Sequence, residues 1–305
     1  MTQESVVEYV SCDLCGCDLP LVIYPSTRNW DDSVCLDVFR SSGDEKLKDR
    51  LVRCKKCGFV YVSPRLKYDL VMRGYANAAD EVFVSQSKGR EKTFRKSLNI
   101  IEAHRKNQRG RIFDVGTANG SFLKVAKDSG WEVAGCEPSR WMNSCCKEHY
   151  GIEVSPGTIF DAGHPNESFD LVTLWDVLEH TSEPMKVIRE CKRILRSCGL
   201  LVLTYPDIGS LVARLMGRKW VFLLSVHYYY FTRRTIAAAL EKCGFAIVHM
   251  RAHIQYLDLG YVLFRATPFI GNAGRALQSF AVRANITQKQ IPYWMGQTLV
   301  IAKRN

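Results

Sequence analysis

No apolar run in this 305-residue sequence approaches the roughly 18 residues that a membrane span needs. Its first stretch, MTQESVVEYVSCDLC, carries no basic segment ahead of an apolar core, so no secretory leader is expected and the reading places the protein in the cytoplasm. Low-complexity tracts are missing too, and 47% hydrophobic with 24% charged residues is ordinary for an ordered enzyme. The length allows one large α/β domain with a small companion. Acidic residues are in deficit, 31 Asp and Glu against 42 Lys and Arg, for a net charge of +11. That balance favours anionic partners such as nucleotides, phosphorylated substrates, nucleic acid or anionic membrane, and selects none of them. Much of the excess lies in SKGREKTFRKSLNIIEAHRKNQRGR. There Phe94, Leu98 and Ile101 recur at helical spacing, the pattern of a helix with a solvated basic face.

Cysteine, by contrast, is plentiful, with 12 in the chain. In a reducing compartment these are thiols or metal ligands rather than disulfides. Cys12 and Cys15 form one C-x-x-C pair, Cys54 and Cys57 another, and each pair is followed by a glycine, Gly16 or Gly58, that permits a tight turn. Two intervening residues let both sulfurs of a knuckle face one ion, so the two pairs are expected to gather Zn2+ in a structural four-thiolate site. Arg53, Lys55 and Lys56 would offset its negative charge, and Cys17 and Cys35 are competing ligands. Short β-like runs, LVIYP, RLVRC and FVYVSP, lie between or beside the pairs and predict small hairpins that need such a staple.

From Arg111 onward strand and helix patterns alternate, which predicts a parallel sheet covered on both faces. Strands are expected at RIFDVG, WEVAGCEP, IEV, FDLVTLWDV, LLVLTYPD, FAIVHMRA and QTLVIAKR. Helices are expected at SFLKVAKDSG, RWMNSCCKEHY and TRRTIAAALEKCG, and at SEPMKVIRECKRILRSCG with Ser182 as N-cap and Gly199 past the end. An aromatic insertion, 208 to 230, interrupts after the fifth strand.

The first strand-to-helix turn reads Gly116, Thr117, Ala118, Asn119, Gly120, Ser121. A dinucleotide fingerprint would want glycines where Ala118 and Ser121 stand. Asp114, two positions before the first glycine, would face a pyrophosphate unfavourably. S-adenosylmethionine has no phosphates, and its ammonium and sulfonium groups welcome a carboxylate. Glu137, at the end of the next strand, is placed to accept both ribose hydroxyls.

On these residues the stretch from 90 to 305 resembles class I S-adenosylmethionine-dependent methyltransferases. FDVGTANGSFL is similar to their first motif, FDLVTLWDVLEHTSEP to the fourth-strand motif, and ILRSCGLLVLTYPD to a fifth-strand motif that usually reads K-P-G-G. The C-x-x-C pairs, GFVYVSPR and HYYYFTRRTIAAALEKCGF resemble a narrower branch, many of whose members modify sugars. The resemblance implies that Asp114, Gly116, Ala118 and Gly120 surround the methionine portion and Glu137 the ribose. It also implies that Phe160 and Asp161 flank adenine, and that Trp175 and Asp176 lie beneath the transferring methyl.

The expected architecture is α/β. A doubly wound, seven-stranded, mostly parallel sheet (111–305) follows a small zinc-ribbon-like β subdomain (1–68) and a helical linker or cap (69–110). An acceptor lid is expected around 207–231, and a lid or dimer segment at 253–292, which in the second case would join two copies as a homodimer. The expected reaction is methyl transfer to oxygen or carbon of a small, sugar-like or nucleotide-linked acceptor, with His227 as base and His180 as positioning residue. The alternatives are an RNA-modifying enzyme using the ribbon and the basic segment 88–111, and an NAD-type oxidoreductase, against which Asp114 counts.

Overall fold

The computed structural model describes residues 6–28, 43 and 45–305. The N-terminal strands are β1 (Val7–Glu8), β2 (Pro20–Tyr24), β3 (Leu51–Cys54), β4 (Val60–Val62) and β5 (Arg65–Leu66). β1 pairs with β5, and β2, β3 and β4 are antiparallel neighbours. Three helices follow, α1 (Tyr68–Asn77), α2 (Glu81–Ser85) and α3 (Ser87–His104). The alternating region opens with β6 (Arg111–Val115), α4 (Ser121–Asp128), β7 (Glu132–Glu137), α5 (Arg140–Tyr150) and β8 (Ser155–Pro156). It continues through β9 (Phe169–Trp175), α6 (Pro184–Ile194), β10 (Leu195–Pro206), α7 (Leu211–Met216) and β11 (Tyr229–Tyr230). The remainder is α8 (Arg233–Lys242), β12 (Phe245–Ala252), β13 (Gln255–Asp258), α9 (Leu259–Arg283), β14 (Gln290–Tyr293) and β15 (Gln297–Arg304).

The large sheet has seven strands in the order β12-β15-β10-β9-β6-β7-β8. Only β15 runs against its neighbours, being antiparallel to both β10 and β12. The expected doubly wound, mostly parallel sheet is therefore present, with the last strand inserted between the fifth and sixth. Its strands feed two cores because side chains alternate across a pleated sheet. Ile112, Leu171, Leu200, Val202, Leu299 and Ile301 join α3 and α4 on one face. Phe113, Val172, Leu201, Leu203 and Val300 join α6 and α8 on the other.

The small β subdomain is not a free-standing ribbon. Its four-stranded sheet has the order β11-β4-β3-β2, so one outer strand comes from the aromatic insertion far downstream in the sequence, with Tyr229 opposite Tyr61 and Tyr230 opposite Val60. Phe59 stacks on Tyr229 at 5.4 Å and packs against Phe231 at 4.9 Å. One apolar cluster runs from Cys12, Val52 and Phe59 through Tyr229 and Phe231 into Leu203 and Tyr205 of β10.

Three local expectations are corrected. Ser182 does not cap α6: the side chain of Asp13, inside the first cysteine knuckle, accepts the Met185 N–H at 2.8 Å. A tertiary contact thus supplies the acceptor that the first turn of a helix lacks. The same helix ends at Ile194 rather than near Gly199, because Leu195 already pairs with Phe169 in β10 and a register shift follows before Leu200. Gly199 serves that irregularity, where a Cβ would come within 2.9 Å of the Arg196 carbonyl oxygen. The short strand read at IEV forms instead at Ser155–Pro156, beside Cys136 and Glu137.

The basic helix α3 keeps Lys88, Lys92, Arg95 and Lys96 exposed, as a solvated face requires. Its inner side is fitted to β13: Thr93 Oγ1 accepts the Tyr256 N–H at 2.7 Å, and Gln86 Oε1 accepts that of Asp258 at 3.1 Å. A Cβ on Gly89 would sit 2.3 Å from the Tyr256 carbonyl oxygen, so only glycine allows this approach. No helix among the described residues is long and apolar enough to cross a membrane.

Candidate active site

A cavity of about 490 Å³ opens at the carboxyl ends of β6, β7, β9 and β10. This is where open α/β sheets place ligands, because the strand-end turns present backbone groups without a covering helix. Its lining joins the turn after β6 to the aromatic insertion, α3, β13 and the start of α9.

Asp114, Gly116, Ala118, Glu137, Phe160, Trp175 and Asp176 all line it. Gly120 and Asp161 do not appear among the lining residues, and each has another task. Gly120 has φ +79°, and a Cβ there would meet Cys146 Sγ at 2.3 Å, so it lets α4 start close against α5. The carboxylate of Asp161 accepts both N–H and Oγ1–H of Thr158 at 2.7 Å, which holds its pKa below the ordinary carboxylate range. It therefore shapes the loop behind Phe160, which is 51% exposed and free to meet a flat ligand.

Asp114 is buried, accepts the Thr173 hydroxyl at 2.5 Å, and is pushed well above its usual range by desolvation and then by the Glu137 charge. Glu137 is also buried, and each of its oxygens accepts one backbone N–H, from Ala118 at 2.9 Å and Ser139 at 2.8 Å. Burial pushes it up to about 7 against these bonds. A carboxylate offers about four acceptor sites, so Glu137 both closes the turn and keeps capacity for a diol. Ala118 stands at φ +47°, a conformation in which its N–H faces that carboxylate. Gly135, which sequence reading passed over, is essential to the same turn: a Cβ would lie 2.3 Å from Thr117 Cγ2. Its signal was a glycine interrupting an apolar strand.

Arg90 was also missed, hidden inside a run of basic residues. It lines the cavity, its guanidinium carbon lies 3.6 Å from the Phe83 ring centre, and its Nε is buried without a partner. Burial lowers its pKa, with Tyr261, Asp176 and Asp80 as opposing neighbours. Such a cation favours an anionic ligand group.

The cavity wall formed by the loop after β9 and by the aromatic insertion carries His180 and His227, with ring centres 4.7 Å apart. His180 Nδ1 lies 3.0 Å from the Val226 carbonyl oxygen, and His227 Nδ1 lies 2.9 Å from that of Phe222. A carbonyl can only accept, so both Nδ1 atoms carry the proton and each Nε2 keeps its lone pair. Burial lowers His180 to about 4, and burial with the His180 neighbour lowers His227 well below its usual value. Both are neutral at neutral pH. Beside them Glu179 is buried, with both oxygens unpartnered.

Of the aromatic insertion, Val221, Phe222, Leu224, Val226 and His227 line the cavity. Tyr228, Tyr229 and Tyr230 do not: they are buried, and their hydroxyls donate to the carbonyls of Leu66, Ser182 and Leu224. The segment 253–292 contributes His253, Gln255, Tyr256, Leu257, Tyr261, Val262 and Arg265 to the wall.

Outside the cavity lining, the four sulfurs of Cys12, Cys15, Cys54 and Cys57 lie within 4.8 Å of one another. Cys12 and Cys57 are 3.4 Å apart, and Cys15 and Cys54 are 3.6 Å apart. A tetrahedral ion with bonds of about 2.3 Å sets sulfurs about 3.8 Å apart, so the group fits Zn2+. Gly16 and Gly58 take φ +70° and +79° and donate to the Cys12 and Cys54 carbonyls. Cys17 stands outside the group, and Cys35 lies outside the described residues.

Residues 88–250 match a family described as "Methyltransferase domain". A ubiquinone biosynthesis O-methyltransferase from Haemophilus ducreyi is 29% identical over 104 residues, 31% of this chain and 44% of that protein. An uncharacterized methyltransferase from Mycobacteroides abscessus is 32% identical over 32% of this chain and 40% of its own. The chain thus spans less than half the length of these relatives. A crystal structure of an S-adenosylmethionine-dependent methyltransferase from Archaeoglobus fulgidus shares the fold, with TM-score 0.51, 18% identity and coverage of 74% of this chain and 100% of the other. With more than half of its residues matched and the strand-end cavity in place, the chain belongs to the methyltransferase-domain family.

Proposed function

We propose that this protein transfers the sulfonium methyl of S-adenosylmethionine to an oxygen of a small acceptor. The observation that carries the reading is one continuous cavity lined by carboxylates at the strand ends, a buried guanidinium from α3 and two lone-pair imidazoles. Asp114 would receive the ammonium of the methionine portion and Arg90 its carboxylate. Glu137 would accept the ribose hydroxyls, with Gly116 and Ala118 against the ligand and Phe160 on adenine. The bound cofactor supplies an already activated methyl, so the protein's contribution is alignment and exclusion of water. Trp175, packed against Phe94 and Phe122 at 5.0 and 4.9 Å, would support the wall beneath the transfer. His227 Nε2 is the atom placed to take the hydroxyl proton, and His180 positions it; their lowered pKa values make them weaker bases than free histidine.

Oxygen as the acceptor atom is supported by the O-methyltransferases among the relatives. A sugar-like or nucleotide-linked acceptor is supported by the resemblance of the ribbon, the insertion and the following helix to a sugar-modifying branch. The four thiols would hold a structural Zn2+, and the described cysteines, all free thiols, suit a reducing cytoplasm. Titration calorimetry tests the reading: S-adenosylmethionine should bind, and NAD and short RNA should not. Binding of NAD with no binding of S-adenosylmethionine would overturn it.

A further inference from the structure

Glu179 is the least explained residue in the cavity wall. It is 1% exposed, and neither carboxyl oxygen has a hydrogen-bond partner. A buried carboxyl left in this state costs several kcal/mol in general, so it persists only where something else is gained. Its backbone carbonyl accepts the Tyr228 N–H at 2.8 Å, which draws the aromatic insertion over the loop that carries it. One ligand atom each from Glu179, His180 and His227 lie within 4.8 Å of one another.

We propose that Glu179, His180 and His227 form a binding site for a divalent first-row cation, open toward the cavity, where the acceptor's hydroxyl completes the coordination. Two imidazoles and one carboxylate with a vacant position are the donor set of catalytic rather than structural zinc. Both histidines are also prepared for this role. A metal-bound imidazole is normally oriented by donating its other N–H to a carbonyl or carboxylate, and His180 and His227 donate to Val226 and Phe222. Ligands to one ion stand about 3 to 4 Å apart for bonds near 2.1 Å, so small side-chain movements close the set. Burial keeps both rings neutral, the form that binds a metal.

This inference rests on reading that end of the cavity as the acceptor site, and it changes His227 from base to ligand. A bound cation lowers the pKa of a coordinated hydroxyl, whose proton then leaves to water. The resulting alkoxide or phenolate oxygen forms a bond to the methyl carbon while the carbon–sulfur bond breaks, and the sulfonium becomes a neutral thioether. The substrate class implied is a small molecule with an ionisable hydroxyl.

The experiment is titration of the zinc-loaded protein with Co2+, read by visible absorption and by metal content, with S-adenosylmethionine binding measured in parallel. The wild type should take up one further equivalent per chain without the strong near-ultraviolet sulfur-to-cobalt band. Glu179→Gln and His227→Ala should each weaken that uptake tenfold or more while binding S-adenosylmethionine like the wild type. If Glu179→Gln loses cofactor binding through misfolding, His227→Ala and His180→Ala carry the comparison. No uptake beyond the four-thiol site, or uptake undiminished in the variants that still bind cofactor, would overturn the proposal. Failure of the wild type to bind S-adenosylmethionine would instead remove the methyl-transfer reading, whatever the Co2+ count.

Discussion

At the cofactor end of the cavity, Asp114, Gly116, Ala118 and Glu137 belong to one β-α-β unit, and Glu137 is held by backbone N–H groups of that same unit, with Thr173 of the neighbouring strand β9 added on Asp114. At the imidazole end, Glu179 and His180 meet His227 across the large sheet's fourth and fifth strands, and the segment carrying His227 continues as the outer strand of the cysteine ribbon. The first end is a property of a turn. The second is a property of the whole assembly, since Asp13 caps α6, Lys242 donates to the Leu14 carbonyl at 2.7 Å, and Phe59 stacks on Tyr229. The contrast teaches that damage to the ribbon should be felt by the acceptor and not by the cofactor.

The largest expected effect is at the imidazole end. His227→Ala should lower turnover by roughly 100-fold or more, the scale of lost help in deprotonating the acceptor, whether as base or as metal ligand, with cofactor affinity unchanged in calorimetry. Turnover near wild type would show that the two ends do not divide the work in this way. At the opposite end, Asp114→Ala should weaken S-adenosylmethionine binding by about 1.5 to 3 kcal/mol, a charged hydrogen bond, without unfolding the protein. Unaltered affinity would take Asp114 out of the site.

Cys54→Ser tests the connection between regions. The purified wild type should contain one zinc per chain, the variant should lose it, and the N-terminal strands should then open at lower temperature in hydrogen exchange. Because β11 is shared, turnover should fall by about tenfold through misplacement of His227, while cofactor binding persists. Cofactor binding lost together with turnover would mean that the two ends stand or fall as one.

The smallest effect concerns pH. Glu137 rises from 4.5 to about 7 on burial, so across that window the folded state holds a proton that the unfolded chain has released. Stability from this group is greatest below the window and is lost as pH rises through it. Glu137→Gln should therefore flatten the fall in the ligand-free melting temperature between about pH 5 and about pH 7.5. An equally steep fall in the variant would contradict the burial account.

The sequence by itself determined the sheet, the strand-end turn and the four-thiol group, because each rests on periodicity or spacing within a short stretch. RIFDV is buried on both faces and so had to be an interior strand, and two C-x-x-C-G turns carry their own geometry wherever they fold. Only the tertiary structure decided where β15 enters the sheet, that Tyr229 and Tyr230 complete the ribbon, and that Arg90 leaves a basic face to enter the cavity. It alone placed Asp13 at the start of α6 and Glu179 beside two histidines. The physical reason is one of range. Backbone turns and alternating burial are fixed by neighbours a few residues apart, whereas a cap, an edge strand or a shared ligand set is fixed by whichever distant segment the packing brings within hydrogen-bond reach.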